Sequence, residues 1–402
     1  MKSELTPRER VNLALSHRTP DRLPVDFLAV PEIWDMLTQR FGIASAPLND
    51  SQFFDPAWEE ILRRFEVDCR VISYDQFCAP PESAFPAGGR TEWWKVQSRS
   101  TPARMWRWAG EDGIATEIFG RRFKVQANDL GSYEENIPAL GAAESLADVE
   151  AHRWPDPDWW DFRPVKSVLL EMNRTRAHHI RFRMGAVFEL AWQLRGMENF
   201  LTEMAAEPAI PIYMMERITD IIAEVTRRLL REAGDDIDMV YFYDDVGSNL
   251  SLLISKKMWR TLIRPSHEKL IAVAKQHNKQ VMYHTDGAVR PLIPDLIEMG
   301  VDVLNPIQPS TAGMEAAGLK RDFGARLSFH GGVDIVGLLP KGSPADVREA
   351  ARQLVRDLGQ DGGYIMAGSH HIQCDTPLEN VIALYELSNR QLPTQVRAET
   401  ED

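Results

Sequence analysis

From about residue 180 the chain alternates short apolar runs with longer stretches whose apolar positions recur every three or four residues. That is the rhythm of strand followed by helix, which builds a parallel sheet. The runs are HIRFRMGAV near 179, DMVYFYDDV near 238, KQVMYHTDG near 279, VDVLNPIQP near 301, ARLSFHGGVD near 325 and GGYIMAGSHH near 362. Upstream, RLPVDF near 22 and DCRVISYD near 68 read the same way, for eight candidate strands. The helices between them carry start and stop signals. In KGSPADVREAARQLVRDLGQ, Ser343 suits an N-cap, Pro344 the first helical position and Asp346 the third, while Gly359 closes the far end. Val347, Ala350, Ala351, Leu354, Val355 and Leu358 recur at helical spacing, so this face is expected against a sheet. Thr6-Pro7-Arg8-Glu9 and Thr376-Pro377-Leu378-Glu379 read as capping boxes.

Eight such units predict an α/β fold, a (β/α)8 TIM barrel preceded by a helical extension. Residues from about 81 to 160 break the rhythm, being rich in Trp, Pro, Gly and charge, and predict a Trp-rich, β-containing insertion over one end of the barrel. For any single tryptophan there, packing onto the core is the plainer expectation than a place in a binding site. No repeat or interdomain linker interrupts the chain, so residues 1–402 are expected to form one barrel domain, with a polar tail at about 392–402.

Charge narrows the function. With 46 basic and 59 acidic residues, net −13, the chain is a poor partner for nucleic acid or an anionic membrane surface. Cys69, Cys78 and Cys374 form no Cys-x-x-Cys pair and suit a reducing compartment. MKSELTPRERVNLALSH lacks the apolar core of a signal peptide, and no stretch approaches the roughly 18 apolar residues of a membrane span. A cytoplasmic location is therefore expected.

A parallel barrel gathers its chemistry where the carboxyl ends of several strands converge on one mouth. The strand ends here offer Asp26, Tyr74 with Asp75, Glu189, Asp244 with Asp245, His284 with Asp286, Asn305 with Gln308, His330, and His370 with His371. A lone His at a strand end is most often a hydrogen-bonded structural residue, and a lone Asp often caps the next helix. Four of the ten histidines gathered at three such ends are harder to read that way. Because residues i and i+2 of a strand point to the same side, His284 and Asp286 can face one cavity. With a third donor from another strand, His370 or His371, they suit an open metal site; the same set also suits general acid and base work. Cys374 reads as a small apolar filler rather than a thiolate ligand.

Order and wording then carry a resemblance over nearly the whole chain. LTPRERVNLALSHRTPDRLPVDF, GAVFELAWQLRGMENFLTEM, YFYDDVGSNLSLLISKKMWRTLIRP, YHTDGAVRPLIPDLIEMGVDVLNPIQP, HGGVD and GSHHIQCDTPLENVIALYE resemble the uroporphyrinogen decarboxylase-like superfamily of (β/α)8 barrels. That superfamily includes the tetrapyrrole decarboxylase and the methyltransferases of corrinoid-dependent methyl transfer. The decarboxylase's Arg-rich substrate-gripping segment has no counterpart in RLPVDFLAVPEIWD. The zinc methyltransferases' His-x-Cys pair is matched by His284-Thr285-Asp286 with Asp in the Cys place, and His370 falls about where the distal Cys is expected. The resemblance implies transfer of a methyl group from a small, methylated substrate, an O-methyl or other heteroatom-methyl compound, to a corrinoid protein or free cobalamin. It implies His284, Asp286 and His370 as ligands to Zn²⁺ or another divalent metal, with Glu189, Asp244, Asp245 and His330 as catalytic groups. Tyr74, Asn305, Gln308 and His371 are expected to bind substrate. Relatives of this shape are often dimers, so a homodimer is among the expected assemblies. Decarboxylation of a carboxylated aromatic or tetrapyrrole-like substrate, and a barrel that binds small molecules without turnover, are the alternatives.

Overall fold

The computed structural model describes residues 5–45, 53–85, 89–95, 104–110, 112–128 and 131–390. The polar tail expected at 392–402 lies outside them. In chain order, β1 (Cys69–Ser73) is followed by β2 (Arg90–Lys95), β3 (Arg104–Ala109), β4 (Ile114–Thr116), β5 (Arg122–Asn128) and β6 (Gly131–Ile137). Then come β7 (His179–Ala186), β8 (Met239–Tyr243), β9 (Gln280–His284), β10 (Val303–Ile307), β11 (Ser328–Val333) and β12 (Tyr364–Gly368). The larger sheet runs β1-β7-β8-β9-β10-β11-β12, every pairing parallel. Its strands are short apolar runs buried nearly throughout, as a sheet covered by helices requires.

The eighth position is filled differently from the rest. Among the described residues, RLPVDF and the residues just after it pair through isolated parallel bridges, Val25 to Met366 and Ala29 to Ile372. On its other side, Asp68 donates its backbone N–H to the Val25 carbonyl at 3.0 Å, and the Asp68 carboxylate accepts the Val25 N–H at 2.8 Å. Pro24 has no N–H to give a ladder, which keeps this segment from pairing as a regular strand. The segment nevertheless joins β12 to β1 and closes the (β/α)8 TIM barrel.

The helical extension plugs the amino end of the barrel. Helix Pro7–Leu15 starts with a capping box in which Thr6 and Glu9 exchange hydrogen bonds. Its Val11 and Leu15 pack against Cys69, Met239, Met282, Val303 and Ile365, residues at or beside strand beginnings. Arg10 bonds to both Asp21 and Asp68 beside it. Helix Pro344–Leu354 shows the expected Ser343–Asp346 box and buries Val347, Ala351 and Leu354, while Val355, Leu358 and Gly359 continue the buried face in a π-type turn. The box expected at Thr376 does not form as read: Thr376 is buried and its hydroxyl has no hydrogen-bond partner.

The irregular region contains a five-stranded antiparallel sheet, β2-β3-β4-β5-β6, inserted between β1 and helix Val165–Met172. It therefore belongs to the loop that leaves the carboxyl end of the first strand and stands at the barrel mouth. Trp108, Trp154 and Trp160 are buried; Trp108 stacks on Phe85, and Trp160 donates from Nε1 to the Tyr74 carbonyl at 3.0 Å. Among the described residues, no helix is long and apolar enough to cross a membrane.

Candidate active site

A cavity of about 280 Å³ opens at the carboxyl ends of the barrel strands. Tyr74 and Asp75 reach it from beyond β1, Arg183 and Ala186 from β7, Tyr241 and Tyr243 from β8, and His284 from the end of β9. His370 and His371 follow β12, and Glu189 projects from helix Phe188–Arg195. The insertion supplies the opposite wall with Glu117, Ile118, Phe119, Arg121 and Glu134. None of the described tryptophans lines the cavity; in the irregular region Trp108, Trp154 and Trp160 are buried, while Glu117, Arg121 and Glu134 meet the interior.

His284, Asp286 and His370 converge beside this cavity. Each offers a ligand-type atom, and these atoms all lie within 4.8 Å of one another. His284 Nε2 is 3.9 Å from Asp286 Oδ1 and 3.7 Å from Asp245 Oδ1, and His370 Nε2 is 3.6 Å from Asp286 Oδ2. Burial pushes the Asp286 carboxyl up to about 7, with His284 opposing the shift and Asp245 adding to it. Burial and the neighbouring His284 push His370 down to about 4, so its imidazole is neutral near pH 7 and keeps a lone pair. Asp286 Oδ1 is buried without a hydrogen-bond partner. An orphaned carboxylate oxygen between two imidazoles fits a divalent cation: two nitrogens, one oxygen and a side open to the cavity.

The loop carrying Asp286 is held by its backbone. Asp286 N–H donates to Asp245 Oδ1 at 2.8 Å, and Gly287 N–H donates to Gln308 Oε1 at 2.6 Å. Gly287 has φ +87°, and a Cβ there would meet the Ser248 carbonyl oxygen at 2.5 Å. Only glycine permits that conformation and that approach together.

Glu189 is half-buried and accepts from Gln193 Nε2 at 2.9 Å. Burial first, then Asp245 and Asp244, push its carboxyl up to about 8 against the pull of Arg183 and Arg121. At neutral pH it is a carboxylic acid able to give a proton. Both arginines are already engaged. Arg121 binds Glu117 at 2.9 Å and Glu134 at 2.5 Å. Arg183 lies over the Tyr243 ring, bonds its hydroxyl, and sits 3.7 Å from Asp75.

Four of the residues expected at the reacting atoms or the substrate stand elsewhere. Asp244 is fully buried behind the wall, accepting from the Val187 and Glu189 N–H groups and from His267 Nε2 at 2.7 Å. It anchors the start of helix Phe188–Arg195 instead of facing the cavity. His330, in the middle of β11, lies deep in the barrel against Asp26 at 2.9 Å. Asn305 bridges His284 and His330, and Gln308 pins Gly287, so neither reaches the lining. Tyr74, Glu189, Asp245, His284, His370 and His371 do line the cavity, and Asp286 adjoins it through His284 and His370.

Residues that strand-end reading passed over are Arg183, Tyr241 and Tyr243, together with the insertion's Glu117, Arg121 and Glu134. A signal existed for the first three. Arg181 and Arg183, and Tyr241 and Tyr243, alternate in otherwise apolar strands and so share the barrel's inner side. The insertion offered no comparable periodicity.

The comparisons with known proteins agree on the architecture. A model of the uroporphyrinogen decarboxylase (URO-D) family matches residues 133–391. A methylated-thiol–coenzyme M methyltransferase from Methanosarcina mazei is 24% identical over 217 residues, 54% of this chain and 54% of that protein. The chain thus spans about half the length of that curated relative. A solved methyltransferase from Methanosarcina mazei superposes with a TM-score of 0.63 at 16% identity, over 96% of this chain and 99% of that one. At such identity the superposition speaks for the fold.

Proposed function

The chain belongs to the uroporphyrinogen decarboxylase family, and on that footing we propose that it moves a methyl group from a small O-methyl compound to a corrinoid. The acceptor would be a corrinoid protein or free cobalamin. The observation that carries this reading is the convergence of His284, Asp286 and His370 beside an open cavity. The relative named for methyl transfer adds support.

Zn²⁺ or another divalent ion held by these three would supply Lewis acidity to the atom that the methyl group leaves. Two imidazoles and a carboxylate, with no thiolate, make a hard donor set that matches an oxygen leaving atom better than a sulfur one. Transfer would break the C–O bond with its pair going to oxygen, and a reduced corrinoid, when bound, would supply the pair for the new bond to carbon. The departing alkoxide or phenoxide needs a proton, and Glu189 holds one at the cavity wall. Tyr74 and His371 are read as substrate contacts, with Asp245 holding the Asp286 loop. Asp244, by capping the helix that carries Glu189, would position the acid and not act on substrate.

Decarboxylation calls for cations to grip carboxylates: Arg121 is taken by Glu117 and Glu134, whereas Arg183, 3.7 Å from Asp75, keeps a buried Nη1 without a hydrogen-bond partner, so decarboxylation stays the second reading. The test is anaerobic incubation with cob(I)alamin and a panel of methyl ethers, thioethers and methylamines, following methylcobalamin by absorbance. Turnover with a methyl ether is expected. No methylation with any donor, together with CO2 release from a carboxylated aromatic or a porphyrinogen, would replace methyl transfer by decarboxylation.

A further inference from the structure

Behind His284, on the side away from the cavity, a line of buried polar groups leads back to the segment that closes the barrel. Asp26 Oδ2 lies 2.9 Å from His330 Nε2, His330 Nδ1 lies 2.5 Å from Asn305 Nδ2, and Asn305 Oδ1 lies 2.6 Å from His284 Nδ1. Asp26 and His330 are fully buried, and Asn305 nearly so. The methyl-transfer reading uses none of these three.

Hydrogen-bond direction propagates along this line in one sense only. Burial raises the Asp26 carboxyl, but Arg181 and His330 outweigh it and hold the group at about 2, so Asp26 is a carboxylate that only accepts. Arg181 Nη1 also stands 3.4 Å from His330 Nε2, but the Asp26 carboxylate at 2.9 Å is the closer partner, so Nε2 carries a hydrogen. Burial pushes His330 down, so the ring is neutral and its Nδ1 is a bare lone pair. That lone pair requires a donor, which the Asn305 NH2 provides. The Asn305 oxygen then faces His284, whose Nδ1 must be N–H. A neutral His284 so constrained has its lone pair on Nε2, the nitrogen that faces Asp245 and Asp286.

We propose that Asp26, acting through His330 and Asn305, sets His284 in its Nδ1–H form and aims the Nε2 lone pair at the candidate metal position. All three are positioning residues, and the purpose assigned to the lone pair rests on the metal reading above. The reverse amide orientation would place N–H on Nε2 and block it as a ligand.

The experiment uses the full chain, metal-free, with ¹⁵N-labelled histidine, and reads the two ring nitrogens of His284 by long-range proton–nitrogen correlation, assigned by their loss in His284→Gln. The wild type is expected to show a protonated Nδ1 and a bare Nε2. His330→Leu should give a mixture of tautomers and weaken Zn²⁺ binding about 10- to 100-fold. His330→Gln, able to donate to Asp26 and accept from Asn305, should restore both. A hydrogen found on Nε2 in the wild type, or unchanged tautomer and affinity in His330→Leu, overturns the proposal. Should the leucine variant not fold, the wild-type spectrum and the glutamine variant decide. A protonated Nδ1 in a wild type that binds no Zn²⁺ upholds the positioning line and refutes the metal reading alone.

Discussion

Glu189 is the residue whose environment departs most usefully from that of an ordinary carboxyl group. Its value of about 8 in the fold, against 4.5 for a free side chain, means that the folded protein favours the protonated form. The stability this confers is complete below about 4.5 and is lost as pH rises through about 8. Activity should follow the same group: if Glu189 delivers the proton, the rate falls on the alkaline side with a midpoint near 8. Glu189→Gln, which keeps the shape but gives up no proton, should lower the rate by roughly 10²-fold or more and abolish that limb. A pH–rate profile of both proteins measures this; an alkaline limb that survives in the variant assigns it to another group. Alternation put His284 and Asp286 on one side, and applied to Tyr243-Asp244-Asp245 it separates Asp245, in the lining, from Asp244, behind it. His330 misled because it sits mid-strand, where an apolar run with one imidazole looks the same as a run ending in one.

At the scale of elements, caps and close turns give the sharper expectations. Ser343→Ala removes a side chain that accepts from the Asp346 N–H and should cost about 1 kcal/mol in denaturant unfolding. Thr376→Val should cost little or even stabilise, because the buried hydroxyl it removes has no partner. Equal losses at the two sites would show that Thr376 caps its helix after all. Gly287→Ala forces a side chain into φ +87° and onto the Ser248 carbonyl, so the Asp286 loop must shift. A stability loss above about 1 kcal/mol is expected, with weaker divalent-metal binding by calorimetry. Metal binding at wild-type strength would detach Asp286 from the candidate site. The eight strand positions were legible because buried parallel strands are short apolar runs punctuated by turns. The insertion was legible only as a break in rhythm. Its antiparallel strands, RTEWWK and GSYEENI among them, keep no steady alternation of polar and apolar residues, and nothing local marks Arg121 or Glu134 as facing the barrel mouth.

The whole molecule brings together donors that lie 86 positions apart in the chain, His284 and His370, and only the closed barrel makes them neighbours, with ring centroids 5.7 Å apart. If they share one ion, His284→Ala and His370→Ala should each remove most bound metal, and the double variant should lose no more than either alone. Elemental analysis of the three purified proteins gives the answer, and losses that add would place the two rings on separate duties. Closure itself is uneven around the circumference. Seven positions are held by regular ladders, whereas the segment carrying Val25 and Asp26 hangs on isolated bridges. Amide protons along that seam should therefore exchange with deuterium sooner than those of β8 or β9. Since Asp26 is tied through the interior to His284, an occupant seated at the mouth should slow that exchange from the far side of the wall. The weakest stave of the cask would then act as its gauge, reporting what the vessel holds without touching it.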